Sequence, residues 1–191
     1  MYHRPRDPAC PLVCLDETSK QLIKETRVPI PARPGRPRTD YEYERNGTAN
    51  IFLLFAPLEG WRHVEVTDRH AGVDYAHVLR DVSDRWYPNA AKIALVQDNL
   101  STHKPASLYE AFPAAEARRL VERFEWHYAP KHGSWLNMAE TELSVLSSQC
   151  LDRRIATQQR LTEEVAAWEA ARNKHHAKAD WQFTPPTHEP N

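Results

Sequence analysis

Apolar residues along this chain come in short blocks that switch between two periods, and the switches mark out the elements. The opening block, "PLVCLDE" (11–17), is too short for a helix and apolar enough for an internal strand ending on two acids. In "ANIFLLFAPLEGWRHVEVTD" (49–68) two strands flank a turn at Pro57 to Gly60, and in the second Val64 and Val66 alternate with His63 and Glu65. From Gly72 to Trp86 the period changes: Val73, Ala76, Leu79 and Val82 recur at helical spacing until Pro88 stops the run. "KIALVQ" (92–97) is a third apolar strand and leads straight into Asp98. Residues 105–124 are helical with a break near Pro113, and "FEWHYA" (124–129) alternates again. Leu136, Ala139, Leu143 and Leu146 mark a helix over 136–153, and Leu161, Val165, Trp168 and Arg172 mark the last one. The order β, ββ, α, β, α, β, α, α predicts an α/β fold, a mixed central sheet flanked by helices. No internal repeat is present.

Composition narrows the picture. At 191 residues with 41% hydrophobic content, the chain forms about one domain with a full core. A net charge of −1 from 25 basic and 26 acidic residues gives no global positive field, so a nucleic acid must be held by local patches. One such patch is "RVPIPARPGRPRTD" (27–40), whose prolines stop both helix and ladder, within an exposed basic insertion at 27–48. Cys10, Cys14 and Cys150 make neither an even disulfide set nor a metal ladder, as in a cytoplasmic protein with reduced thiols. The first residues lack a signal-peptide core, and "IFLLFAPL" is far short of the roughly 20 residues that span a bilayer.

The candidate chemistry lies in acids at strand ends, where rigid strands meet open loops. Asp16 follows "PLVCL", Asp98 follows "KIALVQ", and Glu140 sits early in the helix after Leu136, with Asn137 and Ser144 one turn to either side. Three carboxylates without a histidine or cysteine cage suit hard divalent ions, magnesium or manganese, and two such ions can activate an attacking oxygen at a phosphodiester. Each acid also has a plain structural reading: Asp98-Asn99 serves equally well to open the turn "NLSTHKP". Asp16 competes with Glu17, which alternation sends to the opposite face, and Glu142 lies about 200° around the helix from Glu140. Spacing alone does not decide between the members of each pair.

The segments "CLDETSKQL", "RPGRPRTDYEYERNGTANIFLLFAPLEGWR", "LVQDNLSTH" and "HYAPKHGSWLNMAETELSVL" together resemble the catalytic domain of DDE transposases, in the bacterial insertion-sequence branch (IS-six-thirty type) of the mariner-like superfamily. The likeness spans about residues 11–155. It implies a ribonuclease H-like fold with Asp16, Asp98 and Glu140 as the catalytic acids holding two divalent ions, Mg2+ or Mn2+. The implied reaction is hydrolytic nicking of DNA at element ends, followed by attack of the freed 3′-hydroxyl on target DNA. His103 matches a position of the family and is placed either beside the scissile phosphate or as a loop hydrogen-bonder. Lys131, His132 and Ser134 lie where a phosphate can be held, and Trp135 either stacks on a base or packs in the core. Arg36 and Arg38 around Pro37 resemble a minor-groove arm, with a solvated basic linker as the alternative.

The expected layout is an N-terminal extension (1–10), the catalytic domain (11–176) and a tail (177–191) strapped down by Trp181 and Phe183. His175 and His176 read as surface residues. Full-length members of the family carry an N-terminal helix-turn-helix, which the residues before 11 are too few to form. The chain is therefore expected to be a split-frame product, a truncated remnant, or a catalytic half working as a homodimer with a separate helix-turn-helix chain. A decayed domain that only binds DNA or dimerises, and another ribonuclease H-like nuclease, are the rival readings.

Overall fold

A computed structural model describes residues 2–26, 42–130, 133 and 136–176. Five strands form one sheet: β1 (Leu12–Glu25), β2 (Tyr43–Ala56), β3 (Trp61–Thr67), β4 (Ile93–Gln97) and β5 (Phe124–Tyr128), in the order β3-β2-β1-β4-β5. The first three are antiparallel neighbours, whereas β4 lies parallel to β1 and β5 parallel to β4. The helices are α1 (Gly72–Asp81), α2 (Pro105–Ala111), α3 (Ala114–Arg123), α4 (Met138–Leu146) and α5 (Gln158–Lys174). Wider π turns extend α1 over Val82–Trp86 and α4 over Ser147–Leu151. This mixed sheet with flanking helices is the ribonuclease H-like architecture.

Strand alternation divides the core in two. Leu12, Cys14, Ile51, Leu53, Ala94 and Val96 face α4 and α5, against Ala139, Leu143, Leu146, Leu161 and Val165. Val13, Leu15, Phe52, Leu54, Ile93 and Leu95 face α1, α2 and α3, against Tyr75, Leu79, Leu108 and Leu120. The central strands are thus apolar on both faces, which is why "IFLLFA" and "IALV" read as unbroken apolar runs.

Two places differ from the sequence reading. The first strand does not stop near Glu17 but runs to Glu25, and residues 43–48 of the expected insertion belong to β2. These outer halves pair as a hairpin whose β2 side is exposed from Tyr43 to Thr48, so no apolar alternation marks it. Gly47 adopts φ +88 where the register slips between Gln21 and Ile23, a bulge for which glycine's left-handed freedom is suited. The N-terminal segment is tied to the domain: the Tyr2 hydroxyl donates to the Leu136 carbonyl at 2.6 Å, and the Ala9 carbonyl accepts from Ala91 and Lys92. The expected strapped tail with Trp181 and Phe183, and residues 27–41 of the insertion, lie outside the described residues.

Candidate active site

Because β4 ends at Gln97 while β1 continues, the sheet opens beside β1 just past the Cys14–Val96 pair. Asp16 and Asp98 each lie two residues beyond that pair, level with one another on adjacent parallel strands. Both share the parity of Cys14 and Val96, so both belong to the sheet face covered by α4. Asp98 is the first residue past its strand, whereas Asp16 lies inside β1 rather than at its end.

The third acid is delivered by the start of α4. Asn137 caps that helix by accepting from the Ala139 N–H, and its side-chain amide donates to the Leu15 carbonyl at 2.9 Å. One buried side chain therefore fastens the first turn of α4, which carries Glu140, to the residue preceding Asp16. Glu142 turns away as the helical angle requires and is buried against Arg62 and Arg172. The result is a cleft of about 890 Å³ lined by Asp16, Asp98 and Glu140, with Thr18, Lys20, Ser144 and Ser147 along its length.

Gathering acids has an electrostatic cost, and Asp16 shows it. Burial pushes the Asp16 carboxyl up to about 7, helped by the charges of Glu17, Asp98 and Glu140 against the Glu17 backbone N–H that it accepts. Burial alone would raise Asp98 too, but the His103 hydrogen bond and charge hold it below the usual carboxylate range. His103 is driven the other way by burial, and its hydrogen bonds to Asp98 and Glu17 prevail, raising it to about 9. At neutral pH it is an imidazolium between two carboxylates.

The donor set fits a hard divalent cation. All three groups are carboxylates, and Glu140 Oε2 is buried with no hydrogen-bond partner. Among the described residues no three His, Cys, Asp or Glu side chains converge as a ready-made ion cage. Like charges lining one cleft repel one another, a cost that a bound divalent cation would offset.

Of the other residues singled out from sequence, His103 is 1% exposed and has both ring nitrogens on carboxylates, so it presents nothing to a phosphate. Arg36, Arg38, Lys131, His132, Ser134 and Trp135 lie outside the described residues. His175 and His176 are exposed. Asn137, Glu17, Tyr75 and Gln97 support the site without having been marked as functional. For Asn137 the signal was present: an N-cap residue in front of the candidate acid.

The sequence pattern of the DDE superfamily endonucleases matches residues 11–162, most of the chain and all three acids. The chain belongs to that family. Solved structures similar to this DDE endonuclease domain include complexes of the Mos1 mariner transposase. The paired-end complex with Mn aligns at TM-score 0.58 and 14% identity, covering 87% of this chain and 50% of that one. The strand transfer complex gives 0.55 and 13%, covering 88% and 50%. The paired-end complex with Mg gives 0.53 and 17%, covering 84% and 48%. At such identities the likeness is one of fold, and the DDE domain spans about half the length of the Mos1 chains. No curated protein matches it. Among the described residues, no helix is long and apolar enough to cross a membrane.

Proposed function

We propose that this chain is the catalytic domain of a transposase in the bacterial insertion-sequence branch of the mariner-like superfamily, cutting DNA at element ends and joining the freed 3′-hydroxyl to target DNA. The observation that carries the reading is that Asp16, Asp98 and Glu140, from three separate elements, line one cleft. Asp16, Asp98 and Glu140 would hold two divalent ions, Mg2+ or Mn2+, which when bound supply activation of the attacking oxygen and charge neutralisation at the leaving oxygen.

The chain's own contribution is positioning. The sheet holds the Asp16 and Asp98 backbones at one level, and the Asn137 anchor fixes the turn bearing Glu140. His103 occupies Oδ1 of Asp98, and Oδ2 has no hydrogen bond to a described residue. Without cations the acidic wall repels a phosphodiester, so substrate and ion binding are coupled in this reading.

Element ends and target DNA are the assigned partners, with contacts from Arg36, Arg38, Lys131, His132 and Trp135. The working form is proposed to be a homodimer. A helix-turn-helix, on this polypeptide or another, reads the element ends. The domain layout carries over as 11–176 for the catalytic unit, flanked by 1–10 and 177–191.

The test incubates purified protein with element-end duplex, random duplex and an RNA–DNA hybrid in Mg2+ or Mn2+. Nicks leaving 3′-hydroxyls on DNA, abolished by Asp98→Ala or Glu140→Ala with the fold retained by circular dichroism, support the reading. Undiminished cleavage by either folded variant overturns it, and preference for the hybrid indicates a different ribonuclease H-like nuclease.

A further inference from the structure

Strand alternation turns Glu17 away from its neighbour Asp16, toward α1 and the turn after β4, although Glu17 also borders the cleft. There His103 lies between two acids: Nε2 is 2.9 Å from Glu17 Oε2, and Nδ1 contacts Asp98 Oδ1. Two further contacts restrain this histidine. Its ring stacks on Tyr75 at 4.7 Å between centroids, and its backbone carbonyl accepts from the Gln97 amide at 3.0 Å. Gln97 is held in turn by the Tyr75 hydroxyl at 2.7 Å. With the ring 1% exposed, this is a built polar network, not a surface contact.

We propose that Glu17 and His103 form a clamp on Asp98, occupying Oδ1 and leaving Oδ2 as the oxygen offered to a divalent ion. Glu17 is then a positioning residue that acts through His103 and does not itself touch the ion. The proposal rests on the assignment of Asp98 as an ion ligand and deepens it. A carboxylate free to rotate presents either oxygen, whereas one pinned by a hydrogen-bonded imidazole ring presents one in a fixed direction. Glu17 sets that direction, because an imidazole fixed at one nitrogen alone can still pivot about it within the plane of its stack on Tyr75.

The experiment has two independent readouts on the purified chain: Mn2+ binding measured by calorimetry without DNA, and cleavage of element-end duplex. Variants are Glu17→Ala, the milder Glu17→Gln, His103→Gln and the double Glu17→Ala/His103→Gln. Removal of such a supporting group weakens metal binding by about 10- to 100-fold. Glu17→Ala should therefore weaken Mn2+ binding by about tenfold or more, with a smaller loss for Glu17→Gln, whose amide oxygen still accepts from Nε2. At saturating Mn2+ the KM for DNA should be unchanged. The double variant should bind no more weakly than His103→Gln alone, since Glu17 acts only through the histidine.

Wild-type Mn2+ affinity in folded Glu17→Ala or Glu17→Gln protein overturns the clamp. So do losses that add in full in the double variant, because Glu17 would then be a direct ligand. If Glu17→Ala fails to fold, Glu17→Gln decides. If the wild type binds Mn2+ but cuts no DNA, the transposase reading falls while the binding series still judges the clamp.

Discussion

Arg62 of β3 and Glu142 of α4 form an ion pair, Nε to Oε1 at 2.8 Å, inside the protein, with the arginine side chain fully buried. Arg172 of α5 binds the same carboxylate, its Nε also 2.8 Å from Oε1 and its Nη2 3.2 Å from Oε2. The pair locks α4 in rotation, so that the face turned from Glu142, which bears Glu140, lines the cleft.

Removing the acid alone leaves two guanidinium groups facing each other, one of them desolvated. Breaking a buried pair costs about 3–5 kcal/mol, whereas replacing both partners by apolar groups is often neutral. Glu142→Ala should therefore lose about 3 kcal/mol or more in urea denaturation, and Arg62→Met/Glu142→Leu should recover only part of it, because Arg172 still loses its carboxylate. A loss confined to a few tenths would mean that water already solvates the pair.

Asn137 carries two tasks that substitution separates. Asn137→Ala removes the cap and the bond to the Leu15 carbonyl, together about 2 kcal/mol by ordinary cap and buried hydrogen-bond values. Asn137→Asp keeps an oxygen for the Ala139 N–H but turns a donor into a carboxylate against a carbonyl. It should be at least as destabilised as alanine, although aspartate is an excellent cap in isolation. Equilibrium unfolding of the two variants checks the order, and a near wild-type Asn137→Asp would mean that the contact with β1 is dispensable.

What the sequence made legible follows the same division between local and distant causes. The run "IALVQD", the helical stripe from Gly72 and the turn at Pro57 to Gly60 are written in adjacent residues, and each appears where its period put it. Strand parity placed Asp16 and Glu17 on opposite faces, and helical angle turned Glu142 away from Glu140. The outer half of β1 was not legible because "ETSKQLIKE" is held by hairpin hydrogen bonds with little burial to impose a period. The Glu17–His103–Asp98 network was invisible for another reason: its members join only once β1, β4 and α1 have packed.

His63 provides a pH test remote from the cleft. Burial opposes its charge, but Glu169 at Nδ1 and Glu65 at Nε2, each 3.2 Å away, prevail and raise it to about 9. Glu65 is correspondingly held low, first through its hydrogen bond to His63. A histidine raised on folding stabilises fully below its unfolded value of about 6.5 and loses that contribution as pH rises through about 9. The stability gap between wild type and His63→Gln should therefore be widest near pH 6 and shrink by about pH 10. Denaturant midpoints at the two pH values decide it, and a gap that widens with pH would contradict the assignment.

Asp16 has the opposite consequence for the ion-free fold, since its carboxyl is raised to about 7 by burial and neighbouring acids. The folded state holds that proton more tightly than the unfolded chain, so stability declines as pH climbs through about 7 and the carboxylate forms. In a chelator at about pH 8, Asp16→Asn should match or exceed the wild type in thermal midpoint, because the amide removes a charge from the acidic wall. Adding Mn2+ should reverse the order. Ion binding to the native state alone stabilises the wild type by about 2.7 kcal/mol at a hundred times the dissociation constant. The amide of Asp16→Asn supplies one neutral oxygen in place of a carboxylate, so the variant should gain far less. Thermal melts with and without Mn2+ test both halves. A variant less stable than wild type in chelator would give Asp16 a structural role, and an equal Mn2+ gain would remove it from the ion-binding set.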